Sequence, residues 1–526
     1  MRRLALVAAG LLVLAAAAYY GLIVYPSHKF RVALDQDIAR LPAGVTATYT
    51  TASYSLLTHK AAIRDLSVKA DRPCACDVSI GEIEIGRPNL GLSDAWSHDQ
   101  QNAANLSPDE SLPVADSISA RSVSGHAGAI MFANDLIAID KLRLYPQSFL
   151  GPGLPSAADA LGAVSIQTYG SPSSLLPLLP LMRLEAAAAL GVAYDSYAVK
   201  GLQAAGSVQT VPGAAGKFEV SVASFQSAGF DRGVYKGGVM NNLVEKIDPQ
   251  ITATVDHITF AGMDISKPMR KLISADALTP DLLDGLTMER IEYDGFTAIM
   301  PQGAPVTIGS FFLSDVSFAR GLPASITFGM NGVRVTRAMA ANPRGQAGFD
   351  LLGIDTMTIS LGAGFSIDAD KGTAALRNAS FKIDELGALT LDADLSGLST
   401  DGLTAGDFNA VEAGLSLDHA SLRYDDASLV DRWMRNAGGK GQGDPAILRR
   451  QFAAMAQARL AVFGDGPDVA ASGKAASDFL MNPHSLTITA APPSPARFDV
   501  LSTLSQMSPP QIQALLGLSV SANQQP

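Results

Sequence analysis

The residues able to do chemistry are few, and the first are the only two cysteines, Cys74 and Cys76 in "DRPCACDVSI", set one residue apart. In an extended strand such residues have Cα atoms about 6.6 Å apart, near the upper limit for a disulfide. Pro73 supplies a bend, so a bond between them is the expectation in an oxidising compartment. Two free thiols and a redox-active pair are the other readings. Two thiolates alone make a poor metal site, and no histidine stands near them. The seven histidines, His28, His59, His98, His126, His257, His419 and His484, lie far apart and match no HExxH or other metal-ligand spacing.

Other constellations are equally bare. No GxSxG elbow occurs, and the glycine runs "GPGLPS" and "GGKGQGD" satisfy neither GxGxxG nor a P-loop. The acidic pairs Asp392 with Asp394 and Glu82 with Glu84 have the spacing of two that marks the wet face of a strand. Asp425 and Asp426 stand just before a helical pattern, where carboxylates favour the positive end of the dipole. No catalytic, cofactor-binding or metal residues are therefore assigned, no cofactor is expected, and the chain is read as a non-enzyme.

The elements that must position any site begin with an apolar run. After "MRR" the chain carries no charge from Leu4 to Val24, enough for a helix of roughly 30 Å, the thickness of a bilayer core. Leu4, Leu11, Leu14, Ile23 and Val24 are the anchor residues of this reading. A cleavable signal peptide is the rival, with "AAAAYY" as a cleavage region. The apolar stretch runs on through Gly21, Leu22, Ile23 and Val24, past the length usual for a signal. Arg2 and Arg3 favour a cytoplasmic N-terminus, although Lys29 and Arg31 dilute the asymmetry. The expected layout is a tail at 1–3, a signal-anchor at 4–24, a β-rich extracytoplasmic body at 25–420, and a helix-containing part at 421–526 packed on that body.

Composition narrows the body. Charged residues are 17% of 526, below the usual quarter, with 48 Gly and 29 Pro. This is an ordered, apolar protein. A formal charge of -11 and the lack of a Lys/Arg cluster exclude nucleic acid as a partner.

Alternation with a period of two is the commonest pattern. Leu389, Leu391, Ala393 and Leu395 in "ALTLDADLSG" face one way, and Thr390, Asp392 and Asp394 the other. Met357, Ile359 and Leu361 in "TMTISLG", Phe365 and Ile367 in "FSIDAD", Phe381 and Ile383 in "SFKID", and Val411, Leu415 and Leu417 in "VEAGLSLD" repeat it. The links "GAG", "DKG" and "ELG" predict hairpins. Earlier strands alternate less regularly, and "IRDLSV" at Ile63, "LSDVSF" at Leu313 and "LRNASF" at Leu376 share a loose formula that hints at an internal repeat. Helices are predicted from Ser171, from Ser266, from Asp444, where Leu448, Phe452, Met455, Ala456, Leu460 and Phe463 form a stripe, and from Ser508. Residues 92 to 113 read as an exposed polar loop. The fold class is mainly β with a few helices (α+β), an elongated antiparallel meander.

The order of these elements, ending in "LDHASLRYDDASLVDRWMRNAGG" and the helix beyond it, resembles the bacterial YdgA-like and AsmA-like envelope proteins. The most telling piece is "SLRYDDASLVDRWM", where a strand ending at Tyr424 gives way to a helix with Leu429, Val430 and Trp433. The resemblance implies a single-pass bacterial inner-membrane protein with its body in the periplasm. For the AsmA-like group it also implies lipid transport or assistance in envelope assembly.

An alternating sheet has a continuous apolar face that something must cover. A second sheet or the few helices would close the body and leave a scaffold that captures another envelope protein. Acyl chains in an open groove would make a lipid handler. The candidate groove lining is Met357, Ile359, Leu361, Phe365, Ile367, Leu389, Leu391, Leu395, Leu415 and Leu417. The partners expected are thus the inner membrane through the N-terminal helix, a lipid ligand, or an envelope protein.

Overall fold

A computed structural model describes residues 26–39, 41, 44–55, 58–70, 76–89, 91–150, 154, 179–211, 214–247, 251–299, 305–340, 342–437 and 444–524. The proposed anchor Leu4–Val24, the strand "GAVSIQTYG", and Cys74 lie outside the described residues. No helix among the described residues is long and apolar enough to cross a membrane. The chain divides into two compact units, Met1–Glu289 and Arg290–Pro526. Each is mainly β, with helices packed on antiparallel strands.

In the first unit, β1 (Val45–Thr48) and β2 (Thr51–Ser55) both pair with β3 (Lys60–Ala70). Antiparallel pairing then proceeds to β4 (Cys76–Gly86), β5 (Leu112–Ala127) and β6 (Ile130–Leu144). The order continues through β7 (Val192–Tyr194) and β8 (Ser196–Val211), β9 (Ala214–Ser227) and β10 (Phe230–Asp231), β11 (Val234–Ile247), and β12 (Ile251–Asp264). Successive strands of this unit therefore pair as an antiparallel meander. One sheet face is sealed: Ile63, Ile80, Ile83, Ile85, Val123 and Ile137 are buried in a core that takes in Phe30 and Leu34 of the helix Pro26–Ala39. Phe30, Leu34 and Ile38 recur every four residues, so one stripe of that helix meets the sheet.

The irregular alternation of these strands has a physical cause. In β3 the buried residues Ile63 and Leu66 are three apart, with Asp65 between them at φ 51°. Ala120 and Val123 on β5 repeat this with Ser122 at φ 52°, and Val199 and Leu202 on β8 with Gly201 at φ 64°. One left-handed residue in mid-strand swaps which parity of side chains faces the core, so a strict period of two fails there. A Cβ at Gly201 would stand 2.1 Å from Asp135 Oδ2, which explains the glycine.

The loose formula noted above is the local signature of this kink. Its third residue is Asp65, Asp315 or Asn378, at φ 51°, 54° and 50°. Asp and Asn tolerate that conformation better than other side chains. At Asn378 the extra residue shifts the register against both neighbouring strands, and its backbone N–H donates to Asp392 Oδ1 at 2.8 Å. Asn378→Val should therefore lower stability by about 1–2 kcal/mol while Asn378→Gly stays near neutral. Urea titration of the two variants checks this, and equal costs would refute it.

After β13 (Thr287–Ile299), the second unit has β14 (Val306–Ala319), β15 (Leu322–Thr336), β16 (Thr356–Asp368), β17 (Thr373–Ile383), β18 (Gly387–Ser396) and β19 (Ser416–Asp426), paired in that order from β14 on. β20 (Ser485–Ala490) and β21 (Ala496–Arg497) both pair with β19, and β22 (Leu518–Ala522) pairs with β20. The helix Pro467–Met481 packs on β20 and β22, and Pro445–Leu460 packs on that helix. Val520 N–H donates to Ser472 Oγ at 2.9 Å, so the helix also takes a backbone donor of the last strand. At the start of the first unit Arg31 Nε similarly donates to the Ala52 carbonyl at 3.1 Å. Both contacts blunt strand edges that would otherwise recruit further strands.

Several expectations need correction. "VEAGLSLD" is not one strand: Phe408–Gly414 is a helix capped by Asp407, and Leu415 is its C-cap, with the strand starting at Ser416. "GAG" is no turn, since Thr356–Asp368 runs straight through it. At Gly362 a Cβ would meet the Phe328 carbonyl at 3.0 Å, a close backbone approach that favours glycine. The expected loop at 92 to 113 holds the helix Leu92–Gln101, which buries Leu92 in the core; its Trp96 lies 6.0 Å from Phe149. On Pro445–Leu460 the expected stripe is split, because Phe452 packs on Trp433 at 5.0 Å and Ala453 is buried while Met455 faces solvent.

Candidate functional site: an open apolar sheet face

Directly paired residues of an antiparallel sheet project to the same side. The register of the second unit therefore builds apolar rows across it. Met330, Leu361, Phe381, Leu389, Tyr424 and Leu486 form one row. Ala379, Leu391, Leu422, Ile488 and Val520 form the next. Ile326, Phe365, Leu376, Ala393, Ala420 and Ala490 make a third, and Ile367, Ala374, Leu395 and Leu417 a fourth. At about 4.8 Å between strands, a row of six reaches roughly 24 Å.

This face is open where its counterpart in the first unit is closed. Phe381 is 45% exposed, Leu389 and Ile488 39%, and Phe328 37%, against 1% for Ile63 and Ile85. The face is covered where Phe479 of Pro467–Met481 meets Tyr424 at 6.0 Å and along the fourth row, where Ala374 and Ala496, the partner of Leu417, are buried. None of Met357, Ile359, Leu361, Phe365, Ile367, Leu391, Leu395 and Leu417 is fully buried. These and Leu389 fall on one face; Leu415 sits at the helix end instead. Phe328 and Ile488 belong to the open face and went unassigned, because cross-strand register is invisible in local alternation.

The opposite face is polar, and several of its charges are paired. Arg377 pairs with Asp394, and Arg423 grips Asp425 at 2.6 Å. On the apolar side, next to Tyr424, Asp426 accepts from Val430 N–H at 3.0 Å, capping Leu429–Ala437, and from Tyr424 Oη at 2.7 Å. Burial and then that carboxylate push the Tyr424 hydroxyl well above its usual range. In the first unit Glu82 meets Arg64 at 3.2 Å and Glu84 meets Lys60. His126 contacts Asp77 at 2.7 Å, and His257 contacts Asn241 at 2.8 Å. Among the described residues no three His, Cys, Asp or Glu side chains gather closely enough to hold a metal ion. Cys76, the first residue of β4, is disulfide-bonded.

The fold and this face define a mainly β protein with one sealed and one open antiparallel sheet face. A family model described only as an uncharacterized protein matches residues 380–523, from mid-β17 through the capping helices to the last strand. No curated protein and no solved structure matches the chain.

Proposed function

We propose that this is a non-enzymatic, membrane-anchored protein of the bacterial envelope whose second unit receives acyl chains on its open apolar face. The observation that carries the reading is the exposure of Phe328, Phe381, Leu389 and Ile488 on one continuous face. Water-exposed apolar surface of that extent calls for an apolar occupant. A row of about 24 Å matches the length of an extended lipid tail rather than a compact polar ligand. The segment Leu4–Val24 supplies the anchor in this reading, and the body lies in the periplasm, as the resemblance to YdgA-like and AsmA-like proteins implies. The engagement of the acidic pairs in ion pairs and a helix cap supports a role without catalysis.

The test is to purify the full chain from membranes, extract it with organic solvent, and quantify lipid by mass spectrometry beside Leu389→Asp. Lipid retained by the wild type and lost from the variant is the expected result. Equal lipid in both would leave only lipid held around the anchor and overturn the reading.

A further inference from the structure

The helix Pro445–Leu460 is apolar on two sides. Its inner side holds Phe452 against Trp433 and buries Ala453. Its outer side exposes Ile447 (48%) and Met455 (54%), and Val462 (55%) continues that side in the turn Ala461–Phe463. At about 100° per residue, Ile447, Ala454, Met455 and Ala458 fall within about 100° of arc, with Gln451 among them. Arg450 and Arg459 stand on either side of this arc, both exposed. The helix carries three arginines and no acidic residue. Arg449 is neutralised by Asp431, but Arg450 and Arg459 have no acidic partner among the described residues. This local cationic character occurs in a chain whose formal charge is -11.

The geometry points to an anionic lipid surface as the partner of this stripe, a second membrane contact distinct from the proposed N-terminal anchor and independent of the acyl-binding reading. An apolar stripe sinks to the boundary of headgroups and acyl chains, while flanking arginines extend along it to reach phosphates. The charge argues for this occupant: the rest of the acidic chain is repelled by an anionic bilayer, so the arginine-flanked stripe is the side presented to it. Because the helix packs on Pro467–Met481, which covers β20 and β22, a bilayer held there would lie at one end of the open sheet face.

The experiment places the full chain in phosphatidylcholine nanodiscs, which house any anchor. Flotation is then measured with vesicles of phosphatidylcholine alone or mixed with phosphatidylglycerol. Binding to the anionic vesicles only, reversed by salt, is expected. Arg450→Ala and Arg459→Ala should each weaken it about fivefold, and Met455→Asp about tenfold or more. Circular dichroism confirms that these surface variants fold. Equal binding to both vesicle types, or binding that survives Met455→Asp, overturns the inference. Self-association that depends on Met455, seen by light scattering without vesicle binding, overturns it in favour of a second copy of the chain.

Discussion

Ile63→Ala or Ile85→Ala is expected to destabilise the first unit by about 2–5 kcal/mol, whereas Leu389→Ala in the second unit should cost about 1 kcal/mol or less. All three are aliphatic residues on the apolar face of a central strand, and sequence alone would give them the same weight. The difference lies in what stands over them. Ile63 and Ile85 are 1% exposed in a core that also holds Phe30, Leu34 and Leu92 of helices, so truncation leaves a cavity among atoms that cannot fully collapse. Leu389 is 39% exposed, and water fills the space its side chain leaves. Denaturant titrations with a probe in each unit check the contrast. Comparable costs at the two sites would mean that the second face is sealed in solution and would remove the basis for an acyl site.

Phe381→Asp combined with Leu389→Asp should abolish binding of a fluorescent fatty acid, at least tenfold in affinity, with little change in melting temperature. The two residues are direct partners across β17 and β18, so the pair puts two carboxylates side by side in the middle of a row of six. An ionised group pressed against an alkyl chain loses hydration without gaining a partner, which is costly on the face but cheap in the ligand-free protein. Thr390→Asp, on the polar side beside Arg423, is the control and should bind as the wild type does. Retained binding in the double variant would place the fatty acid elsewhere. Loss in the Thr390 control as well would indicate damage to the sheet.

Much of the second unit was legible in the sequence because its strands β16 and β18 run without a kink. Met357 to Ile367 and Leu389 to Leu395 keep strict alternation, and all of them share one face. The first unit was harder to read, since Asp65, Ser122 and Gly201 each swap the buried parity in mid-strand. The clue was present in "IRDLSV", "LSDVSF" and "LRNASF", whose shared feature is a polar residue able to adopt a left-handed conformation. Leu415 leaves the strand because "VEAGLSLD" alternates by coincidence, while Asp407 starts a helix there by accepting from Ala410 N–H at 3.1 Å. The sequence predicts the helix Pro445–Leu460, while only the structure shows that one of its two apolar sides faces solvent.

By itself the sequence determined the class of element at most positions and the antiparallel connectivity implied by short links. These follow from local physics: backbone preference, side-chain period and spacing. Only the tertiary structure decided which strands lie side by side, and hence that Phe381, Leu389 and Ile488 join Phe328 in one face. It also decided that this face is open while that of the first unit is closed. Exposure is a property of what packs over a residue, and in a sheet the packing partner comes from distant segments whose placement no local pattern encodes.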